Sequence, residues 1–340
     1  MAVAQPYSRI PPAVKKHGLA VRVTQETFMK ELFLAVIAAV IVGGTGLSAG
    51  EITAEDAVSV TYRNRDGVES VLTKEPERVI IGFGSFIDLW YASGGEAVAI
   101  PKLSEDKVPD YCRNLHQIGH FSTLNPETII MLKPDLVLLR SGFAPHAALG
   151  KLLAQNGIRS VWCDYNNYDD FVTLLDLFCR LNNADAAERS AASGITEKVN
   201  QLIAGVKEYS HPSFAVIFVS SNGFFVEENE INTAKMLTLL GGKNIAGEGR
   251  RRVILSMEQL LLSDPDVIFL ITMGEGEEIQ KKLSESLTGN PAWGYLSAAR
   301  NNRVHILPNE LFLYLAGTRF PEAFNILAGY LYPEYKAVGK

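Results

Sequence analysis

The feature that most constrains this chain is a stretch that occurs twice. Lys133-Pro134-Asp135-Leu136-Val137 returns as Asp264-Pro265-Asp266-Val267-Ile268. Each copy follows a helical segment carrying a glutamate near its start. Asn125-Pro126-Glu127-Thr128-Ile129 precedes the first copy, and Ser256-Met257-Glu258-Gln259-Leu260 precedes the second. A proline cannot continue a helix, and the short apolar run after it reads as a strand buried on both faces. Helix, Pro-Asp turn and buried strand in duplicate imply two related α/β halves.

The remaining apolar runs fill in both halves. In the first, Val79-Ile80-Ile81 leads into Gly82-Phe83-Gly84-Ser85 and a helix through Leu89 and Trp90. Ala97–Ile100, Leu136–Leu139 and Ile158–Trp162 read as further strands, and Ala147–Asn156 as a helix ended by Gly157. In the second, strands are expected at Phe214–Val219, Val267–Thr272 and Val304–Leu307. Helices are expected at Met236–Leu240 and Thr318–Tyr332, with Pro321 tolerated in a first turn. Between the halves, apolar residues keep helical spacing from Tyr168 to Lys207, without a proline, although Asn182-Asn183 and Gly194 are candidate kinks. The expected fold is α/β: two Rossmann-like lobes with parallel sheets joined by a single long helix. The expected boundaries are 1–50, 51–167 for the first lobe, 168–209 for the helix and 210–340 for the second lobe.

Residues 1–50 differ in kind. Arg9, Lys15, Lys16, Arg22 and Lys30 precede an apolar run from Leu32 to Val42, followed by Gly43, Gly44, Gly46, Ser48, Ala49 and Gly50. Basic flank, apolar core and small-residue exit form the pattern of a secretory signal. Met29-Lys30 would give such a signal a more usual start. The apolar run is short of the roughly 20 residues a membrane span needs, which disfavours an anchor. Leu47-Ser48-Ala49-Gly50 resembles a lipoprotein box in which Glu51 replaces the essential cysteine, so no thiol is there to acylate. A soluble periplasmic protein, cleaved near Ser48–Gly50, is expected. The net charge of -6 gives no basis for nucleic-acid binding. Cys112, Cys163 and Cys179 cannot all pair; one disulfide and three buried free thiols both stay open.

The order and spacing of several short motifs resembles the class III periplasmic binding proteins of ABC importers for iron-siderophores, haem and cobalamin. The carriers are Arg78-Val79-Ile80, Ile118-Gly119, the two glutamate helices with their Pro-Asp strands, Leu239-Leu240-Gly241-Gly242, Asn290-Pro291-Ala292-Trp293, Arg303-Val304-His305 and Gly317-Thr318-Arg319. The resemblance implies a monomeric non-enzyme without a cofactor, capturing an iron chelate and delivering it to an inner-membrane permease. It implies that Glu127 and Glu258, one per lobe, dock into arginine pockets of that permease. A solvated glutamate in the first turn of a helix is the alternative for either residue alone. The ligand is expected between the lobes, at strand-end loops. The candidates are Phe83, Ser85, Phe86, Arg140, Ser141, Phe143 and Tyr165 from the first lobe. Ser221, Asn222, Phe225, Met273 and Arg319 are those from the second. Arg140 and Arg319 suit oxyanions, and the aromatics suit the wall of a chelate pocket. Surface ion pairs and core packing are the competing roles.

Other chemistries fit less well. Gly82 and Gly84 begin a dinucleotide fingerprint, but Ile87 stands at its third glycine. Ser85 lacks the flanking glycines of a nucleophile elbow, and no phosphate-binding Gly-Lys loop is complete. His116 and His120 are four apart with Gly119 between them, in a stretch that reads as a turn. His146 follows the Arg140–Phe143 loop closely enough to reach a ligand. A carrier of bare oxyanion or divalent metal, such as molybdate or zinc, and an α/β enzyme with an unrecognised site are the two other readings.

Overall fold

The computed structural model describes residues 50–274 and 277–335. The signal-like segment therefore lies outside the described residues, apart from Gly50 at its exit. The duplication holds down to backbone conformation. Lys133 (φ 46°) and Asp264 (φ 37°), each just ahead of its proline, both sit in the left-handed region that closes a helix. The aspartate after each proline then accepts from the neighbouring strand's entrance. Asp135 takes the amides of Glu77 (2.7 Å) and Arg78 (3.1 Å), and Asp266 takes the Ser213 amide (2.7 Å).

The described residues open with an antiparallel meander that no sequence pattern announced: β1 (Glu51–Glu55), β2 (Ser59–Arg63) and β3 (Glu69–Thr73). Only Val60, Tyr62 and Leu72 of it are buried, which is too few for a periodic signal. The first lobe's sheet is parallel throughout, in the order β6-β5-β4-β7-β8. Its strands are β4 (Val79–Ile81), β5 (Ala99–Ile100), β6 (His116–Gln117), β7 (Leu136–Arg140) and β8 (Ser160–Cys163). Helices α1 (Ile87–Ala92), α2 (Pro126–Met131) and α3 (Ala144–Gln155) connect them, and Gly157 (φ 71°) turns the chain out of α3 as its position suggested.

The segment expected to be a single long helix is two: α4 (Tyr168–Leu181) and α5 (Ala186–Val206). Asn183 takes a left-handed φ of 49°, and Asp185 restarts the helix with a reciprocal cap. Its carboxylate accepts from Ala187 and Glu188, while Glu188 accepts from the Asp185 amide. Such a cap satisfies amides that a continuous helix would have bonded internally. Gly194 lies within α5 and does not interrupt it.

The second sheet is mixed, a further departure from the expected parallel one. β9 (Ser213–Ser220), β13 (Val267–Thr272) and β14 (Val304–Ile306) run parallel, and the short β11 (Lys243–Asn244) joins β9 in the same sense. β10 (Gly223–Glu227) and β12 (Arg252–Ile254) instead pair antiparallel, β10 folding back on β9 through a tight hairpin. Helices α6 (Asn232–Leu239) and α7 (Met257–Ser263) flank this sheet.

The last helix, α8 (Phe320–Leu331), returns to the middle of the molecule. Its Phe320 meets Tyr168 and Phe171 of α4 with ring centroids 5.1 and 4.8 Å apart, and Phe324 meets Tyr168 at 5.0 Å. One apolar cluster consequently runs from Val79 and Ile81 of the first sheet through α4 and α8 to Phe214, Val216 and Phe269 of the second. Cys112, Cys163 and Cys179 are free thiols buried in that cluster. Among the described residues no helix is long and apolar enough to cross a membrane.

Candidate functional site

Parallel strands deliver their following loops to one edge of a sheet. In the first lobe β4 delivers Phe83 and Ser85, β7 delivers Arg140, Ser141 and Phe143, and β8 delivers Tyr165 and Asn166. These loops meet residues of the second lobe around two adjoining cavities of about 440 and 350 Å³. Phe83, Arg140, Asn166 and Ile231 line both, so the two form one cleft.

Arg140 is its central cation. The guanidinium lies 4.9 Å over the Phe83 ring and donates to Asn166 Oδ1 at 3.0 Å. It pairs with no carboxylate among the described residues. Burial lowers its pKa, and the more distant charges of Asp170 and Asp164 only partly oppose this. The arginine thus keeps most of its donors for an anion. Arg65 is already committed, held by the buried Asp170 at 2.5 Å. Arg250 lies exposed at the rim, with no ion pair among the described residues.

The apolar wall is aromatic. Phe83 meets Phe121 edge-on at 5.8 Å, and Phe121 meets Phe143 at 5.7 Å. Behind them His146 is buried and fully used. Its Nδ1 accepts the Arg140 amide at 2.8 Å, and its Nε2 donates to the Phe121 carbonyl at 2.8 Å. Burial lowers its pKa and keeps the ring neutral. His146 is therefore a staple between two cleft loops, and it does not reach into the cleft. His116 lies on β6 and His120 in the following turn, so they share no helical face.

Besides Asp170, the acidic side chains Asp164 and Glu227 are buried at this edge. Asp164 accepts the Arg65 amide at 2.6 Å, and burial raises its pKa. Glu227, from β10, binds Arg252 through one oxygen at 2.8 and 3.0 Å, and burial raises its pKa as well. Arg252 in turn covers the Phe218 ring at 3.6 Å. Ser141 closes the rim by donating to Asp66 at 3.2 Å.

Of the expected ligand residues, Phe83, Ser85, Arg140, Ser141, Phe143 and Tyr165 line the cleft. Four others do not. Phe86 ends a 3₁₀ turn that rotates it into the core, where it stacks on Tyr165 and is fully buried. Asn222 sits exposed at the tip of the β9–β10 hairpin, since β9 turns back there and no crossover loop follows it. Phe225 packs against the apolar core from the next strand. Arg319 is engaged at the surface by Glu322, with two contacts of 2.8 Å one turn along α8. Ser221 and Met273 are also exposed and away from the lining. The sequence reading missed Arg65, Phe121, Asn166, Glu227, Asn232, Arg252 and Tyr314. The only available signal was the Asn166-Asn167 pair directly after β8, a turn composition at a strand end.

Glu127 and Glu258 occupy equivalent places. Both are exposed in the first turns of α2 and α7, behind the caps Asn125 and Ser256, which accept from Thr128 at 3.1 Å and Gln259 at 3.3 Å.

A family model described as periplasmic binding protein matches residues 79–311. The chain is similar to the vitamin B12-binding protein of Yersinia pestis (strain Pestoides F), 28% identical over 195 residues, 56% of this chain and 68% of that protein. It is also similar to the high-affinity heme uptake system protein IsdE of Staphylococcus aureus (strain bovine RF122 / ET3-1), 23% identical over 235 residues, 67% of this chain and 78% of that protein. An ABC transporter substrate-binding protein from Listeria monocytogenes EGD-e shares the fold with a TM-score of 0.65 at 22% identity, covering 77% of this chain and all of that one.

Proposed function

Since the chain belongs to the periplasmic binding protein family, whose members bind and do not catalyse, we propose that it is the exported substrate-binding component of an ABC importer. Its cargo in this reading is a metal chelate, an iron siderophore or a related complex such as haem, carried by a monomer. The observation that carries the reading is Arg140. A half-buried guanidinium without a carboxylate, laid on one phenylalanine of a three-ring wall, suits a ligand with acidic oxygens and an extended apolar face. A bare oxyanion would use the arginine but gain nothing from the rings. The names of the two curated relatives, one binding vitamin B12 and one taking up heme, support a large chelate in the same way.

Delivery is assigned to Glu127 and Glu258. Their matched exposure, one on each lobe, suits two basic pockets on a permease, where carboxylate–guanidinium pairs set orientation as well as attraction. The basic, apolar and small-residue order of residues 1–50 supports export.

The test is a thermal-shift screen against ferric siderophores, haemin, cyanocobalamin, molybdate and zinc. A ligand present at 100 times its Kd adds about 2.7 kcal/mol to stability, a shift of several degrees in a chain of this size. A shift with a chelate supports the reading. Shifts with molybdate or zinc alone refute it.

A further inference from the structure

We propose that Met131 and Leu262 are the apolar halves of two matched docking faces, each entering an apolar hollow of the permease beside the basic group that takes its glutamate. This rests on the delivery role given to Glu127 and Glu258, and it adds a contact of different chemistry on each lobe.

The two helices correspond position by position. Each glutamate lies two residues after its cap, and the side chain two further on is buried: Ile129 in one copy, Leu260 in the other. Two residues beyond that, Met131 is 75% exposed and Leu262 81%. Among the described residues these are the most exposed of the larger apolar side chains on α-helices; Leu152 and Val172 follow at 38% and 37%. Each follows its glutamate by four, a spacing that puts acid and apolar group on one helix face with Cβ atoms about 5–6 Å apart.

The fold makes no demand for an apolar residue at either place. Ile129 and Leu260 already anchor their helices in the cores of the two lobes. Lysine or glutamine is about as good a helix former as methionine or leucine. A single exposed leucine is ordinary on a protein surface. Here the exception recurs at the same position of both lobes, beside the same acid, which marks two faces used together.

The acid selects the occupant. A second copy of this chain would set glutamate against glutamate where the faces meet, and like charges across an interface oppose association. Anionic lipid recruits basic segments and repels these faces. A protein carrying a cation beside an apolar hollow satisfies both halves, and it must offer that pair twice. The charge steers the approach, whereas burial of the methionine and leucine holds the docked state, so the two contacts act on different rate constants.

The test is photocrosslinking in the producing cell. The full chain carries benzoylphenylalanine in place of Met131, Leu262 or, as a control, Val172, and adducts are identified by mass spectrometry. Positions 131 and 262 should each capture the same membrane subunit of an ABC importer, and position 172 should not. With that subunit in nanodiscs, Met131→Gln and Leu262→Gln should each release about tenfold faster at an unchanged association rate. Glu127→Ala and Glu258→Ala should instead slow association and flatten its salt dependence. Both glutamine variants should melt within about 2 °C of wild type. Capture of the importer with wild-type release rates in the glutamine variants overturns the apolar contacts and leaves the role of the glutamates standing. Adducts only with lipid, a soluble protein or a second copy of this chain, or no adduct at either position, overturn both.

Discussion

Replacing Arg140 with methionine separates binding from stability, because the guanidinium has so little invested in the fold. Its protein contacts are one hydrogen bond to a neutral amide at 3.0 Å and one ring face at 4.9 Å. These are worth about 0.5–1.5 and 0.5–1 kcal/mol respectively, and desolvation of the buried charge opposes them. The unliganded variant should therefore melt within about 4 °C of wild type. Binding has more to lose. A hydrogen bond to a charged partner contributes about 1.5–3 kcal/mol, which corresponds to a rise of roughly 10- to 150-fold in Kd. The assay is titration of wild type, Arg140→Met and Arg140→Lys with haemin at two salt concentrations, beside their melting curves. The lysine variant keeps the charge but not the fork, so it should fall between the other two. Haemin affinity within twofold of wild type in the methionine variant would refute the role given to Arg140.

Glu127→Ala combined with Glu258→Ala should abolish uptake in cells while leaving ligand affinity within about twofold; parallel loss of both measurements would remove the docking role. Asp185→Ala removes the cap that restarts α5 and should cost about 0.5–2 kcal/mol, read as a lower melting temperature in calorimetry. His146 is held neutral, with its pKa lowered by burial, so the unfolded chain takes up its proton first. Its contribution is complete above about pH 6.5 and declines as the pH falls towards the lowered folded value. The melting temperature of wild type should then drop more steeply between pH 7 and pH 5 than that of His146→Gln, and equal slopes would count against the staple.

What could be read from the sequence followed from local rules. Val79–Ile81 and Val267–Thr272 are continuous apolar runs bounded by turn residues, so β4 and β13 were legible, and with them the loops that parallel strands must deliver. This placed Phe83, Arg140 and Phe143. The same rule misplaced Asn222 and Phe225, because Phe214–Val219 reads identically whether a crossover or a hairpin follows it. Arg319 lies one turn from Glu322, a spacing that argued for a surface pair and was visible in the sequence. Asp185-Ala186-Ala187-Glu188 likewise spelled a helix start inside the supposed rod. Arg65, Glu227 and Asn232 were not legible, since their places in the cleft depend on the meander, an antiparallel strand and a contact between lobes.

The cluster joining the two sheets has a consequence for the empty protein. Tyr168, Phe171, Phe320 and Phe324 are buried where α4 and α8 cross, and re-exposing four such side chains costs roughly 6–12 kcal/mol. A widely gaping conformer would then make up less than about one molecule in ten thousand. The spacing between Glu127 and Glu258 is consequently almost the same with and without cargo. If Glu127 and Glu258 are the docking pair proposed above, an importer that reads this spacing would meet vacant and loaded carriers as equals, and net uptake would depend on the fraction of the pool that is filled.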